Sequence, residues 1–423
     1  MPDIVQTQNN SRFKAWSSWG TLALFPLFIL SLQFSLTVMI QPLKAEFALN
    51  DVWIGLLGAS YAILYTILQI PIGSLVDKFG SRKITLISIV GCTICVVLFA
   101  LSKSFYWALI SRVGIGLFAA PAFTLAFYSA GKWFDIKTFG ILVALTEASG
   151  DLGGVLGTSL LAVIVANYGW RNTNLILAMI GVVIFIMAIL FVKDKENPRI
   201  KTDEKINQKS SGHSILHILA IVMRNKQIWI CGLCSGLLFA QLNAFGGLWG
   251  VPFLMTKYQL DLVDAGWLIS LMYIGAAVFS PFMAILSNKI KNKILLIRAC
   301  SVVLFALFIS VIYLPLGTGI FLHICLFLIG MICSVYILFF SITKSIVNDK
   351  VCATALSLTN VLCGAIGALI LQPFIGWILH IIDIMDLGKY DVAVVPYFIA
   401  LSLFPLSMML LYYLTGKLRQ PRS

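Results

Sequence analysis

The sequence is poor in charge. Of its 423 residues only 11% are Asp, Glu, Lys or Arg, whereas 60% are hydrophobic and the mean hydropathy is +0.97. A soluble globular chain carries about 25% charged residues. This composition cannot supply the polar surface of a water-soluble protein, so it excludes the two or three soluble domains that the length alone would predict. We expect an all-α integral membrane protein that crosses the bilayer many times.

Apolar runs of about 20 residues, the length that spans a bilayer, recur twelve times. They cover 21–43, 52–72, 84–102, 105–128, 139–165, 172–192, 227–256, 264–287, 294–315, 319–343, 351–382 and 393–415. With the N-terminus inside, 24 of the 30 Lys and Arg residues fall in cytoplasmic segments and five in outer loops. Because Lys and Arg concentrate on the cytoplasmic side, both termini are predicted to be cytoplasmic. The net charge of +13 is then topological and does not indicate nucleic-acid binding.

The sequence also lacks the signatures of several catalytic classes. It contains no His-Glu-x-x-His, no phosphate-binding loop and no dinucleotide-binding glycine turn, so we predict neither an enzyme, nor a cofactor, nor an ATP-driven pump. The pairs Cys92/Cys95 and Cys231/Cys234 have metal-ligand spacing but no His or acid nearby. They are interpreted as small packing residues, and no metal site or disulfide framework is predicted.

A charged turn, GSLVDKFGSRK at 73–83, separates the second and third runs. Charged side chains are costly in hydrocarbon, so this turn belongs at a membrane face. Its glycines permit a tight reversal and close backbone approach. The residues that define it are Gly73, Asp77, Lys78, Gly80, Arg82 and Lys83.

The pattern Gly-x-x-x-Asp-Lys-x-Gly-x-Arg-Lys resembles the loop between helices 2 and 3 of the major facilitator superfamily of transporters. Gly169-Trp170-Arg171 resembles the outer turn after helix 5 of that family, and Pro373-x-x-Gly376 resembles the end of its helix 11. The resemblance implies twelve helices in two six-helix bundles and transport by alternating access. It also implies that the turn at 73–83 is a cytoplasmic gating loop.

Two similar halves are visible in the sequence. Leu145-Thr146-Glu147 matches Leu358-Thr359-Asn360 at a shift of 213. Parallel repeats of this kind suit a central cavity that opens when one half rocks on the other. We therefore predict a cytoplasmic tail at 1–20, bundles at 21–192 and 226–416, a cytoplasmic linker at 193–225 and a cytoplasmic tail at 417–423.

Three ionisable residues, Arg112, Glu147 and Asp151, lie well inside predicted spans of the first half. Intramembrane charges are functional by default. Arg112 and Asp151 are predicted at similar depths on antiparallel neighbouring helices, so we expect them to pair or communicate. Protonation of Asp151 or Glu147 would then free Arg112 for an anionic substrate or permit one half to close. A static ion pair between helices 4 and 5 is the alternative.

The other candidate cavity residues are polar and uncharged. They are Gln33, Gln241, Asn243, Tyr273, Tyr336 and Asn360, each of which could instead make an ordinary interhelical hydrogen bond.

The leading functional prediction is a secondary transporter that moves a small polar or anionic solute, by proton-coupled symport. The solute classes that fit Arg112 are organic acids, amino acids or peptides, and carboxylate metal chelators. A proton-coupled exporter and a transporter-like receptor or scaffold without translocation remain alternatives. We expect a functional monomer in a bacterial inner membrane, with the solute, protons and lipid as partners.

Overall fold

The computed structural model describes residues 2–69, 71–194, 221–286, 290, 292–347, 349–385 and 394–418. These residues are almost entirely helical and contain no strand. Helices are the expected solution for a chain in lipid, because every backbone N–H and C=O must find a partner within its own segment.

Eleven continuous helical segments in this part of the chain are long and apolar enough to cross a membrane. One of them, Thr138–Phe191, has 54 residues, or about 80 Å at 1.5 Å per residue, far more than one crossing needs. It reverses at Gly169, where φ is 76°, a left-handed conformation that glycine adopts without strain. The segment therefore makes two crossings, and the predicted twelve-helix fold is confirmed.

We number the crossings α1 to α12. Their segments are Pro2–Phe34 and Leu36–Phe47 (α1), Asp51–Leu68 and Ile72–Phe79 (α2), Ser81–Ala100 (α3), Phe105–Ala119 and Ala122–Trp133 (α4), Ile136–Val155, Leu156–Leu160 and the first part of Leu161–Phe191 up to Gly169 (α5), the remainder of Leu161–Phe191 (α6), Lys226–Ala240, Gln241–Trp249 and Gly250–Tyr258 (α7), Leu262–Leu286 (α8), Lys293–Tyr313 (α9), Ile320–Cys333, Ser334–Ile337 and Leu338–Ile346 (α10), Asp349–Ala365, Ile366–Leu371 and Gln372–Ile384 (α11), and Val395–Leu401 and Leu403–Thr415 (α12).

The predicted tail and linker are only partly described. Residues 2–20 continue α1 as helix, so this stretch is an extension of the first crossing. Residues 195–220 and 419–423, which contain most of the predicted linker and of the last tail, lie outside the described residues.

The two halves meet along α2 with α11, α5 with α8, and α1 with α7. "Outer" here means the ends of the helices that carry residues 47–50 and 259–261, following the orientation predicted from Lys and Arg. At these ends the backbones approach closely through glycines. A Cβ added at Gly55 would lie 2.8 Å from the carbonyl oxygen of Gln372, and one added at Gly266 would collide with the carbonyl oxygen of Thr158.

A side-chain bond joins α1 to α7 in the same region, since Thr37 Oγ1 donates to the Leu248 carbonyl at 3.0 Å. Trp249 Nε1 donates to the Gln372 carbonyl at 3.1 Å and joins α7 to α11. The outer side of the interface between the halves is thus closed by direct packing.

Candidate functional site

Two carboxyl groups lie on α5 at the interface between the halves. Glu147 and Asp151 are four residues apart, so they share one face of the helix, and both are half-buried. Asp151 Oδ2 accepts a hydrogen bond from Ser280 Oγ of α8 at 3.4 Å. Asp151 therefore contacts the second half of the chain directly, so its ionisation affects a contact between the halves.

No Lys or Arg neutralises these carboxyls within the described part of the chain. The ion pairs found there are Lys44–Asp51 and Arg171–Glu46, both at the outer ends of helices. An ionised group in the membrane interior without a partner is costly. Glu147 and Asp151 are therefore suited to exchange protons or to meet a charged solute.

Two tyrosines from other helices lie near the carboxyls. Tyr336 of α10 is within electrostatic range of both carboxyls, and Tyr65 of α2 is within range of Glu147. Tyr336 and Tyr65 are half-buried, and a cavity role for Tyr336 stays a prediction. The two tyrosines come from different halves, whereas both acids lie on α5 of the first half.

Asn360 of α11 is exposed and bonds across the two halves. Its Nδ2 donates to Gln69 Oε1 of α2 at 2.9 Å. Asn360 thus contacts the first half of the chain, and its predicted role in lining a cavity stays a prediction. Its partner, Gln69, was not singled out from the sequence, because a single Gln near the end of an apolar run is common.

Arg112 is not paired with Asp151, so that prediction is wrong for this structure. Arg112 is 2% exposed. Its guanidinium donates to the carbonyls of Leu32, at 2.9 Å, and Gln33, at 3.4 Å, and it lies over the Tyr61 ring at 5.7 Å.

The reason lies in α1, which ends its first segment at Phe34 and resumes at Leu36. Carbonyls in the last turn of a helix have no intrahelical partner, and the guanidinium supplies one. Depth along a helix could be read from the sequence, but the direction of the Arg112 side chain around α4 could not.

Three residues predicted to line the cavity are fully buried in helix contacts. Gln241 Nε2 donates to the Leu237 carbonyl at 2.8 Å and to Ser407 Oγ at 3.0 Å. Tyr273 Oη donates to the Leu242 carbonyl at 3.0 Å.

Asn243 accepts from Gln372 Nε2 through both its carbonyl, at 2.9 Å, and its Oδ1, at 3.1 Å. All three residues make interhelical hydrogen bonds at or near the π-helical segment Gln241–Trp249 of α7, which was the alternative to a cavity role. In this structure they are buried between helices, and a role in the cavity stays a prediction. Gln33 is half-buried on α1.

The turn at 73–83 is more ordered than a simple loop. Ile72–Phe79 is helical, with Gly73 inside it, and the chain reverses at Gly80, where φ is 84°. Lys78 and Lys83 lie over the Phe79 ring at 5.3 and 5.6 Å. The side chain of Asp77 lies outside the described residues.

Asp194, at the end of α6, fixes this turn. Its Oδ1 accepts from Ser81 Oγ at 2.7 Å and from the Arg82 backbone N–H at 3.1 Å. Arg82 also donates to the Ile189 carbonyl at 3.0 Å. A carboxylate at the start of α3 satisfies free N–H groups and favours the helix dipole. Asp194 was not predicted from the sequence, because it lies in the charged stretch that follows α6.

Similarity to known proteins gives the class to which this chain belongs. A sequence profile described as Major Facilitator Superfamily matches residues 22–372. The chain belongs to this superfamily of membrane transporters.

Individual similarities are more distant. The chain is 24% identical over 254 residues to an uncharacterised transporter, YybO, of Bacillus subtilis (56% of this chain, 58% of that protein). It is 23% identical over 290 residues to a probable L-galactonate transporter of Escherichia coli (66% and 63%). The aligned regions span about three fifths of these relatives. Among solved structures, a D-xylose–proton symporter superposes with a TM-score of 0.74 at 14% identity, covering 96% of this chain and 98% of that one.

Proposed function

We propose that this protein is a proton-coupled secondary transporter that moves a small polar or anionic solute by alternating access. The observation that carries the proposal is the pair Glu147 and Asp151, two half-buried carboxyls at the interface between the halves, without a cationic partner among the described residues. Groups of this kind in a membrane interior form proton relays in pumps and transporters.

The proposal that the solute is an organic anion is supported by the name of a relative. The E. coli relative is named for L-galactonate, a sugar acid. Arg112, the residue first considered for anion recognition, donates to α1 carbonyls through Nη1 and Nη2, while its buried Nε has no hydrogen-bond partner. In this proposal Tyr65, Tyr336 and Asn360 supply neutral donors to an anion, and protonation of the acids lowers the repulsion.

We propose that the protein couples solute and proton movement by symport. It would act as a monomer in a bacterial inner membrane, with both termini in the cytoplasm. In symport the carboxyls and the solute load together from the outer side. An exporter would use the same carboxyls in exchange, so solute and protons would move in opposite directions.

The test is transport in proteoliposomes with an imposed proton gradient and a panel of labelled sugar acids, sulfonates, amino acids and neutral sugars. Asp151→Asn and Glu147→Gln should reduce gradient-driven accumulation at least tenfold while leaving solute exchange without a gradient measurable. Asp264→Asn is the matched control, because Asp264 is an exposed acid at the outer end of α8.

Accumulation that both carboxyl variants retain in full would refute proton coupling through this pair. Proton movement can be followed with a pH-sensitive dye inside the vesicles. Uptake that acidifies the interior supports symport, and uptake that alkalinises it supports exchange. Binding without any translocation of the panel would favour a receptor.

A further inference from the structure

The internal repeat is visible in the irregular parts of the helices. In α5 the segment Leu156–Leu160 is π-helical, and in α11 the segment Ile366–Leu371 is π-helical. Their starts differ by 210 positions. Two glycines of close outer approach, Gly55 and Gly266, differ by 211. Features that recur at nearly the same shift in both halves identify structurally corresponding positions.

Two side-chain hydrogen bonds between the halves involve residues that are also separated by about 210 positions. Gln69 of α2 and Ser280 of α8 differ by 211 positions, and each bonds to the other half. Their partners are Asn360 on α11 and Asp151 on α5. Asn360 is 213 positions from Glu147, which lies one helical turn from Asp151. The seam between α2 and α11 and the seam between α5 and α8 thus each hold one such bond, with the partners on α11 and α5 offset by one helical turn from strict equivalence.

Both bonds lie well below the outer closure. Gln69 and Ser280 are each 18 residues from the outer starts of their helices, at Asp51 and Leu262, a depth of about 27 Å at 1.5 Å per residue. The glycine contacts of α2 and α8 are only about 6 Å below the same starts. These lower bonds therefore join parts of the halves that the outer contacts do not hold.

The two bonds differ in chemistry. Asn360 and Gln69 form an amide–amide bond, whose strength does not depend on protonation. Ser280 and Asp151 form a hydroxyl–carboxyl bond, which is about twice as strong when the acceptor is ionised. Other titratable groups near Asp151 are Glu147 on its own helix, Tyr273 on α8, and Tyr336 on α10.

We propose that proton coupling acts at one seam: protonation of Asp151 weakens its bond to Ser280 and loosens the contact of α5 with α8, while the Asn360–Gln69 bond at the corresponding seam holds α2 to α11 regardless of pH. Ser280 is then a positioning residue for Asp151. This inference rests on the proposed function, because it names where that coupling operates.

The test measures distances, without substrate or gradient. Spin labels at Ile141 and Phe282 report on α5 and α8, and labels at Ile67 and Ile370 report on α2 and α11; all four side chains are exposed. Distances are measured by pulsed electron resonance between pH 5 and pH 8.5 in a cysteine-free background that retains transport. We expect the first distance distribution to widen at low pH and the second to stay constant.

Variants identify the residue that causes the pH-dependent change in distance. Asp151→Asn should abolish the pH dependence at the first pair, and Glu147→Gln should retain it. Asn360→Asp converts the amide bond into a titratable one and should create pH dependence at the second pair. If that variant does not fold, Ser280→Ala should reduce the amplitude at the first pair and Ser280→Thr, which keeps the hydroxyl, should restore it.

The proposal is overturned if both seams of the unsubstituted protein respond alike, if neither responds, or if the response survives Asp151→Asn and is lost in Glu147→Gln. Its failure is distinct from failure of the proposed function. Proton-driven uptake with pH-independent distances overturns only the seam assignment, whereas pH-dependent distances without proton-driven uptake overturn the transport proposal.

Discussion

Gly55→Ala should open the outer side of the protein. The added Cβ would lie 2.8 Å from both the Gln372 carbonyl oxygen and the Pro373 Cα. Ordinary non-bonded contacts of carbon are about 3.5 Å or more. Both neighbours are backbone atoms, so no side-chain rotation relieves the overlap, and α2 must move from α11 by about 0.7 Å.

The cost falls only on the conformation in which these helices touch. Overpacking in a well-packed interior costs about 1–3 kcal/mol. The general gain of Ala over Gly in a helix, about 1 kcal/mol, applies to both conformations and cancels. The ratio of outer-open to outer-closed molecules should therefore rise about 5- to 160-fold.

Labelling of a buried cysteine measures this ratio. Thr37 is 2% exposed and bonds across the halves to Leu248, so Thr37→Cys in a cysteine-free background is reached from outside only when the outer contacts open. A membrane-impermeant maleimide should label it faster by the same factor when Gly55→Ala is added. The control is Gly364→Ala on α11, where an added Cβ meets nothing within 4 Å. Equal labelling rates in the two alanine variants would refute the steric argument.

Three further substitutions test other contacts. Gly266→Ala should speed the same labelling reaction, because its Cβ would collide with the Thr158 carbonyl oxygen at the other seam. Arg112→Gln should lower the midpoint of thermal unfolding, followed by tryptophan fluorescence, by about 1–3 °C, since it removes buried bonds worth about 1–3 kcal/mol from a chain whose unfolding entropy is about 0.9 kcal/mol/K; a variant as stable as the parent would contradict the assignment. Asp194→Ala should increase backbone amide exchange at 80–84, where its carboxylate accepts two bonds, and unchanged exchange would show that the bonds do not hold the turn.

The number and order of the crossings could be predicted because the length of each apolar run is read directly from the sequence. Each run of about 20 apolar residues has few alternatives to a membrane helix. The reversal at Gly169 was predicted because Gly169-Trp170-Arg171 lies between the runs 139–165 and 172–192 and resembles the outer turn after helix 5 of the family. The family resemblance then supplied the pairing of the runs into two bundles.

The rotation of each helix about its axis could not be predicted. In a soluble helix the polar face marks the solvent side, but here both the lipid face and the core face are apolar. On α6, Val183 is 57% exposed and Ile184 is 5% exposed, and nothing in their chemistry distinguishes them. The same uncertainty led to the expected pairing of Arg112 with Asp151, because their depths agreed and their directions were unknown.

The two kinds of contact between the halves have different energetic roles. The outer contacts at Gly55 and Gly266 depend on van der Waals packing of backbones, which no change of pH or solute charge alters. The lower contacts depend on polar side chains, whose strength changes with ionisation or with a competing hydrogen-bond partner. A solute or proton in the central site therefore acts directly on the lower contacts and reaches the outer ones only through rigid motion of the helices. That arrangement separates the parts of the molecule that respond to ligands from the parts that set the resting balance between its conformations.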